Sequence, residues 1–213
     1  MATDRQKTGY KWNTATYKNR TYTDPNGVQF SLVDFDNQTY TYTYKYRDKD
    51  GNRKKGSIDI EVRFDPHCFT RDKEAGDTQP ALSYDVYDDN SMTERVFDYT
   101  RYGNKTNLIN AIKNLSNKDC KESRTLGKAL YFKQENPKKP SFGMYVVIKV
   151  KRKGNNLVMY VETAHNRNNE PYKLGLSDKK ETYSIILGRL ISQTWPDLLP
   201  ASDPAPENEK AST

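Results

Sequence analysis

Residues 145–167 read as one β-hairpin, and the rest of the chain reads as the body that holds its end in place. Tyr145-Val146-Val147-Ile148-Lys149-Val150 is a run of β-branched and aromatic residues, which suits a strand covered on both faces. Lys151-Arg152-Lys153-Gly154-Asn155-Asn156 supplies the Gly and Asn that a tight reversal needs. Leu157-Val158-Met159-Tyr160-Val161-Glu162-Thr163 is the returning strand. It runs out at Ala164-His165-Asn166-Arg167, so a histidine and an arginine stand just past a central strand.

A second hairpin precedes it. Thr39 to Tyr46 alternates strictly, with Tyr40, Tyr42, Tyr44 and Tyr46 on one face. Asp50-Gly51 marks a turn, and Ile58-Asp59-Ile60-Glu61-Val62-Arg63-Phe64 alternates again as the returning arm. A tyrosine row is able to stack bases, but packing against a small core is the favoured reading. Pro66, which cannot donate to a ladder, ends the second arm. Leu82–Tyr87 and Arg95–Tyr99 are short apolar stretches. Asn104 to Asn107 supplies N-cap residues for the clearest helix, where Leu108, Ile109, Ile112 and Leu115 form an apolar stripe. Leu126–Lys133 reads as a strand stopped by Asn136-Pro137-Lys138-Lys139-Pro140. Thr182–Ile191 also reads as a strand, because Tyr183, Ile185 and Leu187 alternate and Gly188 disfavours a helix.

The expected fold is therefore α+β: a twisted antiparallel sheet with one main amphipathic helix. It comprises a polar N-terminal arm over 1–27, either flexible or an edge segment docked through its aromatics, a single domain over 28–195 and a disordered, Pro- and Glu-rich tail over 196–213. A length of 213 residues with 34% hydrophobic content and 16 tyrosines fits one modest core. No run approaches the roughly 20 apolar residues that span a bilayer. Met1 to Lys7 has no apolar run behind it, so neither a membrane partner nor a secretory signal is expected, and a cytoplasmic location is. Cys68 and Cys120 then read as two free thiols. A net charge of +7 favours RNA or another nucleic acid as partner.

Only two histidines are present. His67 and His165 each follow a strand, with Arg71 and Arg167 close behind. Two imidazoles and a guanidinium suffice for metal-independent RNA cleavage: one imidazole deprotonates the ribose 2′-hydroxyl and the other protonates the leaving 5′-oxygen. The cation stabilises charge on the phosphorane. The candidate catalytic residues are His67, Arg71, Arg101 and His165, against the alternative that both histidines are structural. Tyr102, Arg167, Lys151, Arg152, Lys153 and Thr163 are candidates for holding the nucleic acid. Two Cys and two His lack the spacing of a zinc site, and no P-loop, G-x-G-x-x-G, H-E-x-x-H or EF-hand pattern occurs. No metal or other cofactor is expected. A metal-free ribonuclease, acting as toxin or defence effector of a mobile element, is the leading expectation. A non-enzymatic nucleic-acid- or protein-binding module of a phage or mobile element is the alternative, and a cognate inhibitor or a host protein is a further possible partner.

Val62-Arg63-Phe64-Asp65-Pro66-His67-Cys68-Phe69-Thr70 followed by Arg95-Val96-Phe97-Asp98-Tyr99-Thr100-Arg101-Tyr102 resembles a small bacterial and prophage family, the stationary-phase growth adaptation proteins. Its pattern is a strand ending in His-Cys-Phe-Thr, a Phe-Asp-x-x-Arg-Tyr segment, an Ile/Leu helix and a late hairpin. The likeness covers roughly residues 58 to 191 and implies no particular reaction. Val161-Glu162-Thr163-Ala164-His165 is also similar to the last strand of the barnase/EndoU/colicin/RelE-like RNases. That likeness implies a helix on a twisted antiparallel sheet and RNA cleavage without metal. An aromatic often stands in those proteins where His165 stands here, which would leave the work to His67, Arg71 and Arg101.

Overall fold

The computed structural model describes residues 6–123, 129–136, 139–167, 176–177 and 179–200. In chain order these begin with β1 (Lys7–Trp12), β2 (Tyr17–Lys18), β3 (Thr21–Thr23) and β4 (Gln29–Ser31). There follow β5 (Gln38–Arg47), β6 (Arg53–Phe64), β7 (Thr70–Asp72), β8 (Ser83–Tyr87) and β9 (Met92–Phe97). Two helices come next, α1 (Tyr99–Gly103) and α2 (Lys105–Lys113). The chain continues through β10 (Asp119–Glu122), β11 (Leu130–Asn136), β12 (Lys139–Lys153), β13 (Asn156–Arg167) and β14 (Glu181–Thr182). It closes with α3 (Tyr183–Thr194).

The α+β class holds, with most elements in strands. The main sheet has seven, in the order β14-β10-β11-β12-β13-β6-β5. Both hairpins read from sequence are in it. In β5/β6, Tyr40 faces Ile60 and Tyr42 faces Ile58; in β12/β13, Val146 faces Ala164 and Val150 faces Met159. The sheet is mixed rather than antiparallel, because β13 runs parallel to β6. After β6 the chain turns away at Pro66 and builds other elements, so the neighbour of β6 comes from the distant hairpin and carries its own direction.

β12 is covered on both faces, as its composition demands. Val146 and Ile148 enter the main core. Tyr145 and Val147 point the other way, into a small cluster with Ala129 and Tyr131, where the Tyr131 and Tyr145 rings stack at 5.4 Å. A bulge interrupts the hairpin: Val147 pairs with Thr163 but Ile148 with Val161, which leaves Glu162 as the extra residue. A bulge reverses the alternation of the side chains that follow it. Met159 and Val161 face the main core before it and Ala164 after it, whereas Thr163 and His165 pair with the outer-face residues Val147 and Tyr145.

Three expectations are corrected. The described residues form three α-helices rather than one, and the segment read as a strand over Thr182–Ile191 is mostly α3. The alternation there was coincidental: Tyr183, Leu187 and Ile191 are buried at helical spacing while Ile185 is 40% exposed. Gly188 is in this helix because the Lys45 peptide of β5 lies against it. A Cβ at 188 would stand 1.8 Å from the Lys45 carbonyl oxygen. The N-terminal arm, in turn, is built into the fold. β1 is an edge strand on β8 in a four-stranded sheet, β1-β8-β9-β7, and Tyr22 of β3 is fully buried in the main core. Finally, the chain does not fray at 196. Pro196–Leu198 forms a 3-10 turn, and Leu198 and Leu199 pack on the core. Residues 201–213 of the expected tail, 1–5 of the arm and 126–128 of the expected Leu126–Lys133 strand lie outside the described residues.

Candidate functional site

His67 sits in a 3-10 turn over Pro66–Cys68, opened by Asp65, whose carboxylate accepts the His67 backbone N–H at 3.0 Å. Its ring turns toward the four-stranded sheet. Nε2 lies 2.7 and 2.9 Å from the two carboxylate oxygens of Asp85 on β8, and Lys7 Nζ of β1 is 3.2 Å away. Lys7 also reaches Asp85 at 3.0 Å and Asp65 at 3.2 Å. On the far side of Asp85 stands Arg95 of β9, 4% exposed. It donates to Asp85 at 3.2 Å, to Asp72 at 2.5 Å and to the Thr70 hydroxyl at 2.9 Å. Burial works to raise the Asp85 carboxyl, but the hydrogen bond and charge of His67 and the charge of Lys7 outweigh it and hold the group at about 2. Alternating basic side chains and carboxylates thus sew β1, β7, β8 and β9 to the turn after β6.

The other expected catalytic groups are largely committed as well. Arg71 makes a two-pronged pair with Asp77 at 2.6 and 2.7 Å. Arg101 of α1 donates to the carbonyls of His67 and Thr70 at 2.9 and 2.6 Å, and Asp98 lies 3.3 Å from its Nε. Burial pulls the Arg101 guanidinium below its ordinary value. His165, on the outer face of β13, is pushed down to about 4, by burial first and then by the charges of Arg167 and Arg101. Its ring is therefore neutral at neutral pH. Nδ1 is 3.3 Å from the Thr163 hydroxyl, and Nε2 is buried with no hydrogen-bond partner among the described residues. Arg101 thus holds the His67 backbone carbonyl and, with Arg167, places positive charge near His165, while the His67 ring itself is turned to Asp85 and Arg71 is paired with Asp77.

Of the expected nucleic-acid contacts, Tyr102 donates to the Ser31 carbonyl at 2.9 Å and its ring lies under the Lys105 ammonium. At the β12/β13 tip, Arg152 forms a two-pronged pair with Asp197 at 2.7 and 2.6 Å, and Lys151 lies over the Tyr160 ring. Lys153 is exposed. Both cysteines are free and buried; burial lifts Cys68 well above its ordinary value and Cys120 to about 12, so both are protonated thiols. Among the described residues no group of three or more His, Cys, Asp or Glu is placed to hold a metal ion. No helix there is long and apolar enough to cross a membrane.

The hollow that sequence reading missed is at the other end of the molecule. A cavity of about 760 Å³ opens between the β5/β6 tip and α3. Its cations are Lys45, Arg47, Arg53, Lys54, Lys55 and Arg189, and its remaining walls are Tyr46, Ile185 and Ser192. Arg189 is held by Glu122 and Glu181 at 2.8 and 2.6 Å, and Lys54 is 4.0 Å from Asp48. Lys45, Arg53 and Lys55 are exposed with no ion pair among the described residues. The run from Arg47 to Lys55 is charged on sequence alone, but nothing in the sequence placed Arg189 beside it. None of His67, Arg71, Arg101 and His165 lines this cavity, nor a second one of about 490 Å³, which Lys118, Lys121, Lys133 and Lys180 share with Asp119 and Glu135.

Comparison with known proteins gives one match. The family model described as the YjaZ family aligns with residues 16–191, from just before β2 to the last buried turn of α3. No curated protein and no solved structure matches the chain. The match takes in well over half of the sequence, including both hairpins and the His-Cys-Phe-Thr corner, and the chain therefore belongs to the YjaZ family.

Proposed function

We propose that this YjaZ-family chain is a non-catalytic nucleic-acid-binding module that docks phosphates in the groove between the β5/β6 tip and α3. One observation carries the reading. Six of the nine groove residues are Lys or Arg, and four of them have no ion pair among the described residues. Cations held this close repel one another, and a polyanion relieves that repulsion while releasing its own counterions. Three of the groups expected to cleave RNA, His67, Arg71 and Arg101, are instead spent on Asp85, Asp77 and backbone carbonyls. The likeness to the stationary-phase growth adaptation proteins is part of the proposal and attaches no reaction to it.

A second reading, the metal-free ribonuclease, rests on Arg101, which bonds the His67 carbonyl and whose charge reaches His165. One pair of assays separates the two. Labelled RNA and DNA oligomers are titrated by fluorescence anisotropy at several salt concentrations, and the same RNA is incubated with protein in EDTA. Binding that weakens with salt, with RNA left intact, supports the module. Replacing Lys45 and Lys55 together with Gln then lowers the salt slope by about 0.7–0.9 for each phosphate no longer neutralised. Cleavage leaving 2′,3′-cyclic ends, abolished in His67→Ala, supports the nuclease instead.

A further inference from the structure

The groove is not uniformly charged. Tyr46 is the last of the tyrosine row on β5. Tyr42 and Tyr44 are buried, at 0% and 1% exposure, and Gly56 opposite Tyr44 leaves room for its ring, since a Cβ there would meet Tyr44 Cζ at 2.4 Å. Tyr46 lies one step beyond, partly exposed, its ring 5.7 Å from that of Tyr44 and tilted 40°. It is therefore braced from behind on the core and open in front to the cavity it lines. Ile185, on the solvent side of α3, lines the same cavity and is 40% exposed.

An aromatic face and an aliphatic side chain left open among cations have no use for the outside of a duplex. A duplex presents phosphates and sugars there and keeps its base faces stacked inside. An unpaired strand offers both: phosphates for the cations and a bare π-face for the ring. Resting on the nucleic-acid reading above, we propose that the groove selects single strands, seating one unpaired base against Tyr46 and Ile185 while Lys45, Arg53 and Lys55 hold the flanking phosphates.

The test is anisotropy of labelled oligo(U) and oligo(dT) of about 12 nucleotides, within the site size of known single-strand grooves, beside a duplex of the same length. The proteins are the full chain, Tyr46→Ala, Tyr46→Phe and Ile185→Ser. The wild type is expected to favour single strands. Tyr46→Ala is expected to weaken single-strand binding by about 5- to 100-fold, the range for losing one stacked base. It should leave duplex binding unchanged, and Tyr46→Phe should restore the preference. Ile185→Ser, on an exposed helix face where folding is not at stake, should weaken single-strand binding severalfold. Equal affinity for duplex and single strand, or equal loss of both in Tyr46→Ala and Ile185→Ser, overturns the selection of single strands while leaving phosphate docking intact. Absence of binding to every oligomer overturns both proposals.

Discussion

Replacing Gly188 with alanine sets two effects against each other, and their sizes decide the sign. Alanine is the better helix former by about 1 kcal/mol, so an open helical site would gain stability. Here the new Cβ would lie 1.8 Å from the Lys45 carbonyl oxygen and 2.6 Å from its carbon. A carbon needs about 3.3 Å from such an oxygen, so the gap is short by about 1.5 Å. Lys45 cannot yield easily, because β5 is held through its full length by β6, with Lys45 facing Lys55. α3 must lift. Its 12 residues span about 18 Å at 1.5 Å each, and a helix contact is about 8 Å wide. Lifting the whole helix by about 1.5 Å would open about 220 Å³, and tilting it from one end about half of that. At about 24 cal/mol per Å³ of cavity, the cost is about 2.5 to 5 kcal/mol. Less the propensity gain, Gly188→Ala should destabilise the protein by about 2 to 4 kcal/mol. Urea unfolding followed by tyrosine and tryptophan fluorescence measures it, as a lower midpoint with an unchanged slope. Gly9→Ala is the control, since a Cβ at 9 meets nothing within 4 Å, and should stay within about 0.5 kcal/mol. A Gly188→Ala protein as stable as the wild type would mean that helix and strand do not approach this closely.

Three further outcomes are expected. His165 is held at about 4 in the fold against about 6.5 when unfolded. Above pH 6.5 both states carry a neutral ring, and between 6.5 and 4 the unfolded chain takes a proton that the folded one refuses. Stability therefore falls with pH through that window, by roughly 2–3 kcal/mol; urea midpoints at pH 7 and 4.5 should show this in the wild type and largely lose it in His165→Gln, and an unchanged pH slope in the variant would refute it. Asp85→Ala strips the buried Arg95 of one carboxylate and leaves His67 and Lys7 without their shared partner, so it should cost about 3–5 kcal/mol and more than His67→Ala in the same unfolding assay; the reverse order would show that the carboxylate does not anchor the cluster. Arg152→Ala breaks a well-shaped but solvent-facing pair with Asp197 and should leave the urea midpoint where it is, since exposed pairs contribute little.

The two hairpins were legible because their information is local. Period-two alternation from Tyr40 to Tyr46 and from Ile58 to Phe64, with Asp50-Gly51 between, specifies pairing and register at once. The double-sided burial of β12 was legible for the same reason: Val146 and Val147 leave no polar face to offer water. α3 was misread because its strongest local signal, a glycine among alternating apolar residues, has a distant cause in the Lys45 carbonyl. The N-terminal segment stayed open between flexible arm and edge segment because an edge strand is polar too: β1 buries little of its own surface yet completes the pairing of β8.

Sequence by itself determined the α+β class, the two hairpins, the free thiols and an excess of positive charge, all properties of composition or of neighbours along the chain. Tertiary structure alone decided what the polar groups do. It sent His67 to Asp85 and Arg71 to Asp77, used the bulge at Glu162 to turn His165 to the outer face, and set Arg189 beside a basic loop more than 130 residues earlier. Apolar periodicity repeats every two to four residues and survives in one dimension. Charge pairing depends on which distant segments come within about 4 Å, a distance that does not exist until the chain has folded.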